Sequence, residues 1–500
     1  MTATNAIRAA SFVSSIGVNT HIDYTDGKYA NVKNVIADLK YLGVTEVRDA
    51  SLNPAFQGQA DYGIAAAAGI KFDFIVQGGR SISDTLSQLN TFVTAHPGSI
   101  AAIEGPNEIN NAPFTYAGLS GAAAAVAYQD ALYAAVRADP LLKNVPVFSF
   151  SLGAGATPDA GSYNEVALHP YPQNGTEPLF WLQNAMKADP AGSQPVITEF
   201  GYDSLPTWWM GVDPQTQAKE TLNGLFDAMQ LGVPQTFLYE LLDAYPDPNN
   251  QGGYHYGLFD INNNPKPVAV AIHNLTTILA DTGAQANTFA TSSLAYSVNS
   301  LPSTGSSTLL EKSNGTYDLV LWNEPTIWNA TTHQEVAASA TSVSVNLGKV
   351  YASVEVFDPL SSSSPIKTYK NVSEVSVSLT DHPVIVQVDP TPVTQKNAMT
   401  SASMVFDTSS AAQTINLAGP NQTVVVNPGF GKEVIYGYLP GQDKLEISKK
   451  IFPNIQSVLP HVADDGHGDV VITYNSNETI TLVGVTHAQL AAHPGDFLMF

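Results

Sequence analysis

The sequence contains no cysteine, so neither a disulfide framework nor a thiolate metal site can belong to it. It is also poor in positive charge. Lys and Arg number 21 against 44 Asp and Glu, a formal net charge of −23. A polyanionic partner such as DNA or RNA needs a basic footprint, which argues against nucleic acid. The balance suits a neutral substrate, an acidic milieu or simple solubility. There is no run of about 18 apolar residues of the kind that spans a membrane. The segment Met1 to Ser14 also lacks the long apolar core of an ordinary signal peptide. No Gly-x-Gly-x-x-Gly follows the first apolar run, which argues against a dinucleotide-binding sheet.

What the chain does have is alternation. Five hundred residues are expected to form two or three domains. Up to about residue 280, short Val/Ile/Phe-rich runs alternate with helical stretches. The strand candidates begin at Ile16, Val44, Phe72, Ile103, Val145, Val166, Val196 and Thr236. Helices are expected over Val32 to Leu42, Ile64 to Ala68, Ala122 to Ala138, Leu179 to Lys187, Thr216 to Met229 and Val268 to Leu279. Gly43 and Gly232 stand where helices should end. Eight strand signals with helices between them predict a (β/α)8 barrel over 1–280. Residues 281–392 are β-rich with Ser/Thr/Gly/Pro turns and predict an antiparallel β-sandwich, to which residues 1–14 could add a strand. Pro390 to Lys396 reads as a linker, and 393–500 as a small β-rich C-terminal domain.

Two glutamates carry the chemistry. Glu108 closes Ile103-Glu104-Gly105-Pro106-Asn107-Glu108, and Glu199 lies in Val196-Ile197-Thr198-Glu199-Phe200-Gly201. Each ends an apolar run that reads as a buried parallel strand, the fourth and the seventh. Catalytic residues of such barrels come from the C-terminal ends of strands. Two carboxyl groups facing one sugar ring can cleave a glycosidic bond, one as acid and one as nucleophile or base. Asn107, beside the acid, can hold the sugar 2-hydroxyl.

Asn107-Glu108 on strand four with Glu199 on strand seven resembles the signature of clan A glycoside hydrolases, retaining (β/α)8 enzymes. The resemblance implies that Glu108 is the acid/base and Glu199 the nucleophile. Arg48 ends strand two, where that clan often keeps an arginine bonded to the nucleophile. His169-Pro170-Tyr171 ends strand six, where it often has a histidine or tyrosine nearby. An arginine and the Tyr171 hydroxyl would hold Glu199 ionised, while the acid needs a raised pKa. The end of strand eight departs from the clan, with Tyr239-Glu240 where many members have a tryptophan. Tyr239 can stack on a pyranose instead. Glu240 and Asp243 either bind hydroxyls or cap a loop, and Trp208 and Trp209 either form subsites or cover an apolar edge. Tyr254-His255-Tyr256-Gly257-Leu258-Phe259-Asp260 resembles the stretch before the last helix in family 39-like members, which directs His255 and Tyr256 toward the cleft.

Trp322-Asn323-Glu324-Pro325 looks still more like an acid/base motif, but it follows the eighth strand and lies in β-rich sequence, so it reads as a sandwich strand end. In the tail, Gly429-Phe430-Gly431, Leu439 to Leu445 and Asp496 to Phe500 resemble haemolysin-type (RTX-like) proteins. That resemblance implies a secreted protein exported through a C-terminal type I signal. Tandem Gly-Gly-x-Gly-x-Asp repeats are missing, so the stretch Asp464 to Asp469 reads either as a structural calcium loop or as a solvated turn.

The expected activity is a retaining glycoside hydrolase acting on a β-linked poly- or oligosaccharide, with no cofactor. An arabinofuranosidase, a β-galactosidase or an inverting hydrolase are the alternatives within that chemistry. A carbohydrate-binding protein on an inactive barrel is the alternative outside it.

Overall fold

The computed structural model describes residues 2–76, 78–111, 114–151, 157–187, 193–389, 405–407, 413–417 and 419–500. The chain divides into two units, Met1–Pro392 and Val393–Phe500. The expected linker, 390–396, lies outside the described residues.

In the first unit the strands Ile16–Asn19, Glu46–Ala50, Lys71–Ile75, Ile100–Glu104, Val147–Phe148, Glu165–Leu168, Gln194–Phe200 and Thr236–Leu238 pair in parallel, in chain order, and close into a barrel. Burial on both faces explains their continuous apolar character. Ala102, Phe148, Ala167, Val196 and Phe237, from strands four to eight, form a buried cluster of their own. Side chains alternate along a strand, so Glu104 shares the face of Ala102. It is directed by that register into the ring.

Helices pack outside. Val32–Leu42 is capped by Asn31 and ended by Gly43, whose left-handed φ of 72° suits glycine. Gly232 plays the same part at φ 81° after Pro214–Gln230. The 14-residue helix Ile82–Ala95 escapes the sequence reading because its surface is rich in Ser, Thr, Asn and Gln. Its signal was the cap: the Ser81 side chain accepts the Asp84 N–H, and Leu86, Leu89 and Phe92 are buried at helical spacing.

The sandwich region is one continuous, mainly antiparallel eight-stranded sheet. The 17-residue strand Thr341–Phe357 joins its parts by pairing with Ser293–Asn299, Lys367–Leu379 and Val384–Val388. Thr2–Asn5 and Ile7–Arg8, at the start of the chain, belong to this sheet as well. Trp322, Val320, Phe357 and Ile385 join the buried cluster of the barrel helices, so barrel and sheet share a core. Trp322 Nε1 donates to Asp227 Oδ1 of helix Pro214–Gln230 at 2.9 Å. Glu324 follows strand Tyr317–Asn323, is 7 % exposed, and sits at this junction.

In the second unit, strands beginning at Val405, Thr414, Thr423 and Lys432 alternate between two sheets, and within each sheet they pair in parallel. The starts are nine residues apart, so one circuit takes two such segments. In the stretch Asp464 to Asp469, each of the carboxylates of Asp464, Asp465 and Asp469 accepts a backbone N–H. Among the described residues, no helix is long and apolar enough to cross a membrane.

Candidate active site

A cavity of about 440 Å³ opens at the C-terminal ends of the barrel strands. Asn19, His21, Arg48, Asn107, Glu108, Glu199 and Tyr239 line it. Glu199 is the sixth residue of the seventh strand and is 6 % exposed. Glu108 lies in the loop after strand four at φ 38°, a left-handed conformation uncommon outside glycine. Its N–H donates to Ser151 Oγ at 2.7 Å, which holds the turn.

One guanidinium organises the floor. Arg48, 1 % exposed, donates to Glu104 Oε2 at 2.6 Å and Oε1 at 2.8 Å, to Glu199 Oε1 at 2.6 Å, to Asn107 Oδ1 at 2.7 Å and to Asn19 Oδ1 at 2.9 Å. The bidentate grip on Glu104 fixes the fork, so the bond to Glu199 has one direction. Tyr171 donates its hydroxyl to Glu199 Oε2 at 2.5 Å. His169 Nδ1 lies 2.9 Å from Glu108 Oε1 and 3.6 Å from Glu199 Oε2, and its Nε2 lies 3.0 Å from Thr198 Oγ1. Asn111 donates to Glu108 Oε2 at 2.7 Å.

Burial pushes the Glu199 carboxyl up. The charges of His169 and Arg48 and the Tyr171 hydroxyl outweigh that, and the group is held below the usual carboxylate value. Burial and the adjacent Glu199 push the Tyr171 hydroxyl well above its ordinary range, so it stays a donor. Glu108, His169 and Glu199 each bring one polar atom within 4.8 Å of the others, and are the one such trio found among the described residues that could share a metal ion. The Arg48 guanidinium, 2.6 Å from Glu199, already places a positive charge beside this trio, which works against a cation there.

Of the other residues singled out in the sequence, Tyr239 lines the cavity, and a cis peptide joins it to Glu240. Glu240 is 5 % exposed and turns to Tyr29 and His21, both 3.3 Å from its Oε2. Glu240 thus holds His21, which lines the cavity, from behind. Asp243 accepts from Lys266 at 2.8 Å and from the Gly257 N–H. Tyr256 is buried against Tyr171, Tyr239 and Trp208. Trp208 stands behind it, and Trp209 is exposed. His255 is 3.0 Å from Asp247 and lines a second hollow instead of this one, because its main chain is bound to Ser204 and Lys266.

Sequence reasoning missed Asn19, His21, Tyr24 and Glu104. Asn19 and His21 stand at and just beyond the end of strand one, the same position that drew attention to Arg48 and Glu199. Burial works against charge on His21, and Glu240, Asp49 and Glu199 more than offset it, so its pKa is raised.

This geometry defines a (β/α)8 barrel whose C-terminal mouth holds a carboxylate pair. No protein-family model matches the sequence, and no curated protein matches it. Solved structures do match in fold. A family 39 glycoside hydrolase from the gut symbiont Bacteroides cellulosilyticus WH2 superposes with a TM-score of 0.53 at 14 % identity, over 76 % of this chain and 82 % of that one. A monomeric β-xylosidase from Caulobacter crescentus CB15 gives 0.50 at 13 %, over 78 % and 98 %. A family 39 enzyme from Xanthomonas axonopodis pv. citri gives 0.50 at 12 %, over 78 % and 96 %. At these identities the likeness is one of fold.

Proposed function

We propose that this chain is a retaining glycoside hydrolase of the family 39 type, acting on a neutral β-linked saccharide. The observation that carries the reading is the approach of a Glu108 and a Glu199 carboxylate oxygen to within 4.8 Å on one cavity. Retaining enzymes place the two carboxyl groups about 5–5.5 Å apart, and inverting ones about 6.5–9.5 Å apart to admit a water. The fold shared with family 39 enzymes supports the same reading.

In this mechanism Glu199, kept ionised, attacks the anomeric carbon while Glu108 protonates the leaving oxygen. The glycosyl-enzyme ester then yields to a water deprotonated by Glu108. Arg48 takes the carbonyl oxygen of the Asn107 amide, so the Asn107 NH2 is the part left for the sugar. His169 bridges the two carboxylates and can pass charge compensation from one to the other as the proton moves.

The test is anomer-resolved NMR of the first product formed from aryl β-xylosides, β-glucosides, β-galactosides and arabinofuranosides. Xylosides come first because one structural neighbour is a β-xylosidase. Retention is expected. Inversion overturns the mechanism, and no turnover across the panel favours a carbohydrate-binding protein on an inactive barrel.

We also propose that the described strands of the second unit form an RTX-like roll and that this unit directs type I export. The nine-residue alternation between parallel sheets supports this. Full-length chain should reach the medium only from bacteria carrying a type I exporter, and equal release without one would refute it.

A further inference from the structure

A second hollow, of about 660 Å³, lies among the segments that follow strands seven and eight. Tyr24 lines the catalytic cavity and Tyr245 the second hollow. Their ring centroids are 6.0 Å apart. On the inner side Tyr24 stacks on His21 at 4.5 Å and 11°, and His21 meets the edge of Tyr239 at 5.9 Å. On the outer side Tyr254 borders the hollow beside Tyr245. Aromatic surface therefore runs from the carboxylate pair to the second hollow. Bond cleavage itself does not require it. Tyr24 and Tyr254 are each 40 % exposed. Single exposed rings are ordinary, but a row of them joining two concave sites is an unused binding surface.

The row is held in place. The Tyr245 hydroxyl donates to Asp26 Oδ1 at 2.7 Å, and the Lys28 N–H donates to Ala244 O at 3.0 Å. At Gly27 a Cβ would lie 2.8 Å from Ala244 O and 2.9 Å from the Tyr245 ring, so the loop after strand one approaches the loop after strand eight only because no side chain intervenes.

Charge narrows the ligand. Asp243, Asp247 and Asp260 border the hollow. Its one lysine, Lys266, is occupied by Asp243 at 2.8 Å, His255 O at 3.0 Å and Ser204 Oγ at 3.1 Å. A polyanionic chain would meet carboxylates without a free cation among these residues. A neutral sugar chain would lay its C–H faces on the rings and donate its hydroxyls to the carboxylates.

We propose that Tyr24, Tyr245 and the hollow beyond them form a distal binding site for a neutral linear glycan whose cleaved end occupies the Glu108–Glu199 cavity. This rests on the glycosidase reading and adds that the substrate is an oligo- or polysaccharide rather than a small glycoside.

Full-length Glu199→Gln protein, titrated calorimetrically with disaccharides and hexasaccharides of the xylo-, cello- and laminari- series, tests it. In the preferred series the hexasaccharide should bind about tenfold or more tighter than the disaccharide. Tyr245→Ala and the surface variant Tyr254→Ala should each erode that gain, and Tyr245→Phe should keep it. Equal affinity for both lengths, or a gain untouched by both alanine variants, overturns the proposal. If the wild type also cleaves members of the panel, only the distal site has failed. If nothing in the panel is bound or cleaved, the glycosidase reading fails and the distal site with it.

Discussion

The carboxylates of Glu108, in the loop after the fourth barrel strand, and of Glu199, on the seventh, come within 4.8 Å of each other with the His169 imidazole between them. The retaining mechanism proposed from that spacing can be tested by more than the anomer of the product. In the proposed mechanism Glu199→Gln removes the attacking group and should lower kcat/KM by about 10⁴-fold or more. Glu108→Ala removes only proton transfer, so aryl glycosides with good leaving groups should still load Glu199. Azide, which needs no general base, should then restore turnover and give a glycosyl azide of retained anomeric configuration. An azide product of inverted configuration would contradict the double displacement.

In the proposed mechanism Tyr171 acts through Glu199. Its hydroxyl bond at 2.5 Å helps hold that carboxylate below its usual pKa. The sign is direct: a depressed carboxyl stays ionised as pH falls through the unfolded value and is lost only on passing the folded one. Tyr171→Phe should therefore shift the acidic limb of the kcat/KM profile to higher pH. It should also cut kcat by about tenfold to a hundredfold, the worth of a hydrogen bond to a charged group of about 1.5–3 kcal/mol. An unmoved limb would reduce Tyr171 to packing.

Arg48 is the single cation between two buried carboxylates, Glu104 and Glu199. Arg48→Met leaves Glu104 and Glu199 without their guanidinium partner, at a cost of about 3–5 kcal/mol at neutral pH. In the wild type the Arg48–Glu199 stabilisation is present above the unfolded carboxyl value and fades as pH falls through the depressed folded one. The gap in Tm between variant and wild type should narrow in acid. Thermal unfolding across pH measures it, and a constant gap would mean that lost packing dominates.

The sequence made Glu108, Glu199, Arg48 and His169 legible because each ends an apolar run whose period and length mark a buried strand. The register of a barrel then obliges such residues to converge. His21 stood in an equivalent place and was passed over because nothing local announces that Glu240, remote in sequence, will face it. The same limit explains His255 and Trp208. A loop's composition says that it carries polar and aromatic groups, while contacts such as His255 O with Lys266 decide which hollow they enter. Helix Ile82–Ala95 was hidden for the opposite reason: its polar surface diluted the apolar stripe, and only Ser81 and Asp84 marked its start.

The last expectation concerns the misleading Trp322-Asn323-Glu324-Pro325. Glu324 meets Asp227 at the junction of barrel and sheet. Burial, and then the neighbouring Glu324, push the Asp227 carboxyl well above its usual value, and burial raises Glu324 as well. Carboxyls raised in the fold contribute stability below their unfolded values and lose it as pH rises through the folded ones. Glu324→Gln removes one member of the pair, so Tm should fall less steeply than in wild type as pH rises above the ordinary carboxylate range. Turnover should be preserved, whereas Glu108→Gln should lose about 10²–10⁴-fold. Trp322→Phe leaves Asp227 without its 2.9 Å donor and should cost about 1–3 kcal/mol without changing the pH profile of turnover. If Glu324→Gln abolished cleavage while Glu108→Gln kept it, the roles assigned to the two Asn-Glu pairs would have to be exchanged, and with them the strand order on which the active-site assignment stands.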